Sequence, residues 1–273
     1  MSETSTQQDA SEARVVIVTG GGTGIGAAIA ERYAAEGAHV VVVGRRAEPL
    51  AAVAARTGAQ PIVADAADDD SARSVIAQTI DLFGRVDVLV ANAGGHGFAT
   101  VTDTDDASWD AALRANLMTA FVMARAALPA LIETRGQIVV ISSVAGLSAG
   151  PSVAGYTVGK HALIGLTRSM ARDYGPAGVR VNAVCPGWVR TPMADAEMDE
   201  FAGHAGLASR EDAYAAVTRD VPLGRAAAPA EIAAVVRFLG SAESSFVTGS
   251  VLVADGGGHI VDVPTIAFDH AGM

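Results

Sequence analysis

The sequence predicts an α/β protein: a single doubly wound domain whose mostly parallel sheet carries helices on both faces. Three observations carry that expectation. Short β-branched runs alternate with alanine-rich helical stretches along the chain, the order that builds a parallel sheet. The first of these runs leads into a glycine-rich turn and then a helix. No Pro/Ser-rich linker divides the 273 residues, and half of them are apolar, enough for one sizeable core.

Residues 1–13 are polar and are expected to form a disordered leader ahead of a Rossmann-type catalytic domain over 14–258. Residues 14–19 (RVVIVT) form a β-branched run suited to a buried parallel strand. Gly20, Gly22, Thr23, Gly24, Ile25 and Gly26 belong to the turn that follows, with the spacing T-G-x-x-x-G-x-G from Thr19. Glycines let the backbone turn tightly and approach a pyrophosphate, and the helix start offers free N–H groups to it. A helix is expected over 27–36, and a second strand over 39–43 ends in Gly44, Arg45 and Arg46. An acid that would hold the ribose 2′-hydroxyl of NAD(H) is missing there, and two guanidiniums suit a 2′-phosphate. NADP(H) is therefore favoured over NAD(H), the plainer alternative being two solvated arginines at a strand end.

Later strands are expected at 61–65, 85–91, 138–143 and from 251, with a long apolar helical stretch over 107–131. Tyr156 precedes Lys160 by four residues, which puts phenol and ammonium on one helix face. A nearby fixed cation favours the phenolate and is expected to lower its pKa from about 10. Ser143 lies thirteen residues upstream of the tyrosine and can hydrogen-bond the oxygen of an alcohol or carbonyl. Alone, the Y-x-x-x-K spacing is as compatible with a solvated helix face.

Taken in order, these motifs resemble the short-chain dehydrogenase/reductase family in its compact form of about 250 residues, over roughly 13–258. The resemblance implies a seven-stranded sheet, a nicotinamide cofactor and a catalytic tetrad of Asn116, Ser143, Tyr156 and Lys160. It implies that Asp65 and Ala66 meet the adenine, that Asn92, Ala93 and Gly94 close the fourth strand, and that Pro186 and Gly187 face the nicotinamide. Val189 and Thr191 would meet its carboxamide, and Tyr156 and Lys160 would also touch the cofactor. A helix distortion at Asn116 would open a carbonyl to a water that relays protons from Lys160. The expected reaction is hydride transfer between nicotinamide and a secondary alcohol or ketone of small to medium apolar character. Alternatives are a 3-oxoacyl-carrier reductase and, in another class, a non-catalytic dinucleotide-sensing regulator. An epimerase or dehydratase of the longer form would carry a different glycine spacing and a larger C-terminal region.

Three segments are expected to wall the substrate pocket: Gly95 with His96, residues 144–155, and a lid over 188–223 containing one or two short helices. His96, Ser143, Leu147, Val153, Tyr156, Trp188 and Met193 are its candidate substrate contacts. The extension 259–273 is rich in large apolar residues and is expected to pack on a neighbouring subunit, the resemblance implying a homotetramer (a dimer of dimers), or on its own subunit. A net charge of −11 argues against nucleic-acid binding. The strand runs fall far short of the roughly twenty apolar residues that span a bilayer. The lone Cys185 cannot form an internal disulfide, which suits a reducing cytoplasm, and reads as a packed thiol. The six histidines show no metal-ligand spacing, so no metal is expected.

Overall fold

In the computed structural model, which describes residues 13–273, seven strands form one sheet; most of the expected leader therefore lies outside the described residues. The strands are β1 (Val15–Thr19), β2 (His39–Gly44), β3 (Gln60–Val63), β4 (Val88–Ala91), β5 (Gln137–Ile141), β6 (Arg180–Pro186) and β7 (Val251–Ala254). They stand in the order β3-β2-β1-β4-β5-β6-β7, and every pairing is parallel. The order reverses between β1 and β4. That switch point opens a crevice at the carboxyl ends of the strands, where ligands bind in such sheets.

The helices are α1 (Gly24–Ala35), α2 (Ala47–Thr57), α3 (Asp69–Phe83), α4 (Asp106–Leu113), α5 (Thr119–Thr134), α6 (Ala154–Tyr174), α7 (Pro192–Ala205), α8 (Arg210–Val217), α9 (Pro229–Leu239) and α10 (Ile266–His270). Alternate strand residues feed opposite faces, as the pleat requires. Ile17, Val41, Leu89 and Val140 pack under α3, α5 and α6. Val16, Val18, Val42 and Val90 pack under α1, α2 and α9. This two-sided burial is why the strands read as continuous apolar runs rather than alternating ones.

Between α4 and α5 the helix widens into a π turn, Arg114–Met118, centred on Asn116. The span Asp106–Thr134 is long and apolar enough to cross a membrane by length and composition, yet more than half of its apolar window is buried inside the protein. Its Val122, Met123, Ala127 and Leu131 belong to the core beneath the sheet. The expected lid contains two helices, α7 and α8, which enclose a small core of their own around Met198 and Tyr214. Thr191 caps α7 by accepting the N–H of Ala194 at 3.2 Å.

Candidate active site

A cleft of about 1450 Å³ runs along the carboxyl ends of the strands. Its first half is built from backbone. Thr19 Oγ1 accepts the N–H groups of Asn92 and Ala93, each at 3.0 Å. Asn92 Nδ2 donates to the carbonyls of Thr19 and Gly20 at 2.9 and 3.3 Å. These bonds tie the end of β1 to the end of β4 across the switch point, so Asn92 braces the turn. Gly24 has φ +54°, the left-handed region that favours glycine. A Cβ on Gly26 would stand 2.2 Å from the Gly20 carbonyl oxygen, so α1 reaches the turn only because that side chain is missing. Gly26 does not itself line the cleft, whereas Gly20, Gly22, Thr23, Gly24 and Ile25 do.

Thr23 precedes α1 in an extended conformation and makes no side-chain cap, and the first turn contains no acid. The N–H groups at the helix start are thus left for a ligand. This uncapped, neutral-to-positive helix start beside a side-chain-free turn fits the pyrophosphate of a dinucleotide. Farther along, Arg45 and Arg46 line the same cleft with Ala66. Asp65 accepts the Ala67 N–H at 2.9 Å and the Arg114 guanidinium at 2.8 Å. Burial pushes its carboxyl up, but these two bonds outweigh it and hold the group below its ordinary range. The helix cap that follows is Asp68, which accepts from Ser71 at 2.8 Å.

The second half begins at α6. Lys160 is 4% exposed, with Nζ 2.9 Å from the Ile141 carbonyl and 5.5 Å from the centre of the Tyr156 ring. Ser142 donates to the Lys160 carbonyl at 2.8 Å and fastens α6 to the end of β5. Its neighbour Ser143 accepts the Ala145 N–H at 3.1 Å, and its hydroxyl acts to lower the pKa of the Tyr156 phenol. Ser143, Tyr156 and Lys160 all face the cleft. Asn116 lies behind them, wholly buried. Its amide donates to the carbonyls of His96 and Ala112 at 2.8 and 2.9 Å, and its Oδ1 accepts the Gly95 N–H at 2.9 Å. That side chain is fully engaged and shapes the loop after β4.

The electrostatics correct one expectation. The Tyr156 phenol is held above its ordinary value, chiefly by burial; the Ser143 hydroxyl acts downward, and Glu197 and Cys185 act upward. Burial pulls the pKa of Lys160 down to about 8. Cys185 is a buried thiol on β6, pushed up by burial.

Pro186 ends β6, and a Cβ on Gly187 would lie 2.8 Å from that of Asp255, so the chain passes β7 closely here. Val189 is buried and joins the core under α1 and α9 while still bordering the cleft. Thr191, also on the cleft wall, holds the start of α7. Gly94 and Ala93 complete the floor near Lys160, with a Cβ on Gly94 falling 3.3 Å from Nζ.

His96, Leu147, Val153, Trp188 and Met193 line the same cleft. Sequence reasoning missed two contributors. Phe98 lies against Tyr156 with ring centres 5.3 Å apart, and nothing in its spacing announces it. Glu197 borders the cleft from α7; its signal was its place four residues after Met193 on the lid helix. The extension returns to the cleft of its own subunit through His259, Val261 and Val263, and His270 meets Asp220 at 2.9 Å. His259 is held by Asp255 at 3.0 Å.

A family model described as enoyl-(acyl carrier protein) reductase matches residues 20–259. The protein MoaE of Klebsiella aerogenes is 48% identical over 258 residues, covering 94% of this chain and 99% of its own. Meso-2,3-butanediol dehydrogenase of Serratia marcescens is 36% identical over 247 residues, covering 89% and 94%. A solved structure of a variant actinorhodin polyketide ketoreductase with NADPH matches with a TM-score of 0.85 at 32% identity, covering 90% of this chain and 97% of that one. The chain belongs to the short-chain dehydrogenase/reductase family and is an NAD(P)-dependent oxidoreductase of the alcohol–ketone couple.

Proposed function

We propose that the protein interconverts ketones and secondary alcohols of small to medium apolar character, with Tyr156 as general acid and base and NADP(H) preferred to NAD(H). The observation that carries this reading is the junction of Ser143, Tyr156 and Lys160 with an uncapped helix start on one side and an apolar cleft on the other. When bound, the nicotinamide supplies or accepts the hydride. The glycine turn and the N–H groups of α1 would hold its pyrophosphate, and the Lys160 donors left after Ile141 would hold its ribose.

The roles of the side chains follow from their bonds. Ser143 accepts from Ala145, which leaves its own hydrogen to donate to the substrate oxygen. Tyr156, kept protonated by burial, gives its proton to that oxygen as a ketone is reduced. In oxidation it must first lose that proton, so this direction gains as pH rises. Lys160, near pKa 8, is suited to return the proton to Tyr156 at neutral pH. Because the Asn116 amide is engaged, the relay water is assigned to the main chain of the π turn. General acid–base help of this kind is worth about 10²–10⁴-fold.

Support for NADP(H) comes from Gly44. Its φ is not in the left-handed region, and a Cβ there would meet Leu50 at an ordinary 3.6 Å. The backbone does not demand glycine, and an acid would fit, so the missing charge is a chemical choice that leaves Arg45 and Arg46 facing a 2′-phosphate. The likeness to a polyketide ketoreductase favours a second reading, reduction of carrier-bound 3-oxoacyl groups. The acidic chain is a poor partner for an acidic carrier. A filled tetrad argues against a non-catalytic sensor. The exposed Met118, Phe121 and Val158 support a homotetramer, and the buried lone thiol suits a cytoplasmic setting. A panel of ketones, alcohols and 3-oxoacyl thioesters assayed with both cofactors tests the reading. Turnover of free ketones with NADPH is expected; activity confined to carrier-bound substrates would replace it with the second reading.

A further inference from the structure

One side chain on the substrate wall transfers no proton in the proposed reaction. Glu197 lies on α7 one turn beyond Met193, so the two project from the same face of the lid helix. Both border the cleft, while Met198 and Ala202 turn away into the small core with α8. Every other carboxylate among the described residues is either exposed or engaged: Asp65 by Arg114, Asp87 by Arg85, Asp195 by Tyr214, Asp255 by His259. Asp68 caps α3, and Asp69 is paired with Arg125. Glu197 is withdrawn from full exposure and makes no hydrogen bond or ion pair among those residues.

The cations of the cleft do not serve it. Arg45, Arg46 and Arg114 stand with Asp65 at the adenine end, and Lys160 is tied to the Ile141 carbonyl. The same cleft is lined by the apolar Phe98, Leu147, Val153, Trp188 and Met193, with Met193 one turn from Glu197 on α7. Burial and the charge of Glu200 push its carboxyl above the ordinary range, and its own charge reaches the Tyr156 phenol. A half-buried carboxylate in apolar surroundings is costly until a cation pairs with it.

We propose that Glu197 selects substrates that carry a protonated amino group near the reacting carbon: secondary amino alcohols and the matching amino ketones. The proposal rests on the reaction assigned above and names its substrate class. In oxidation the carbinol C–H leaves as hydride to the oxidised nicotinamide, and the O–H proton passes to Tyr156. The C=O bond forms, and the ammonium keeps its proton, paired with Glu197 throughout.

The test uses the full-length protein with NAD⁺ and NADP⁺ and two matched series. One is 2-alkanols with a terminal ammonium at increasing chain length; the other has a methyl in its place. At the best length the amino member should exceed its neutral counterpart in kcat/KM by about tenfold or more, the size of a close charge pair in a partly dry site. Glu197→Gln should bring that ratio to within about threefold of unity; the ratio is the readout because the Glu197 charge also acts on Tyr156, so both series share any change in the base. Glu197→Lys should favour the neutral member. An unaltered Tm in the Gln variant confirms that the fold is kept. Neutral alcohols that turn over with no amine preference at any length overturn the proposal alone. So does a Gln variant that scales both series equally or raises only the cofactor KM. Absence of turnover in both series with both cofactors removes the parent reading and the proposal together.

Discussion

The two halves of the cleft are made differently. Around the glycine turn, recognition comes from main chain: N–H groups at the start of α1, carbonyls braced by Asn92, and a helix seated against Gly20 because residue 26 has no side chain. Around Tyr156 it comes from side chains brought by four separate segments, with Phe98, Leu147, Trp188, Glu197 and Val263 arriving from loops, lid and tail. A wall made of backbone admits few substitutions and suits a ligand that never changes. A wall made of side chains on loops can be altered residue by residue without disturbing the sheet. The family's constancy of cofactor and diversity of substrate follow from that division.

The largest effect should come where the halves meet. Tyr156→Phe removes the one hydroxyl that exchanges a proton with the substrate and leaves its ring on Phe98. Turnover should fall by about 10³-fold or more, with cofactor affinity, read by fluorescence titration, within about threefold because the phenol is a minor cofactor contact. Because burial holds the phenol above its ordinary pKa, kcat/KM for alcohol oxidation by the natural protein should still be rising at pH 9. Ketone reduction, which uses the protonated phenol, should show no matching gain. An oxidation profile that levels off by pH 7 would mean that the phenol is acidified after all.

Gly26→Ala tests the backbone half. The added Cβ would meet the Gly20 carbonyl oxygen at 2.2 Å, a contact with main chain that no rotamer relieves. Either α1 moves off the turn or the turn deforms, at a cost of about 1–3 kcal/mol. For a domain of this size that lowers Tm by roughly 2–10 °C, and dinucleotide affinity should fall with it. An alanine variant with native Tm and native cofactor affinity would show that the helix start can shift without loss.

The same division governs what could be read from the sequence. The parallel sheet, the glycine turn, the lid helices and the Ser143–Tyr156–Lys160 group were legible because main-chain constraints appear as residue types at fixed intervals. Asn116 was legible as a distortion, and the π turn at Arg114–Met118 is that distortion. What its amide does was not, since its partners Gly95 and His96 are twenty residues away. The direction of the shift on Tyr156 was missed for a related reason: spacing sets which groups are neighbours, but it does not show how deeply each is buried. Thr191 was read as a cofactor contact, and its most definite bond is the cap on α7. Phe98 and the returning tail carry no interval of any kind.

The smallest of these effects belongs to the one part of the cofactor half that is made of side chains. Arg45 lies beyond β2 on the cleft wall, exposed and without a hydrogen bond or ion pair among the described residues. Nothing in the fold depends on it, so Arg45→Asp should leave Tm within about 2 °C, as surface changes away from such contacts usually do. Its charge does bear on the ligand: a carboxylate here would repel a 2′-phosphate and accept a hydrogen bond from a ribose 2′-hydroxyl. The ratio of kcat/KM for NADPH over NADH should drop by about ten- to a hundredfold, corresponding to about 1.4–2.8 kcal/mol. Arg46 beside it would retain part of the phosphate affinity, so the double variant should go further. A ratio unmoved by either change would mean that both guanidiniums are solvated and that preference is set elsewhere on α2. Should the ratio move while Tm stays fixed, the cofactor half divides again into a main-chain cradle that the fold requires and a charged rim that selection can retune.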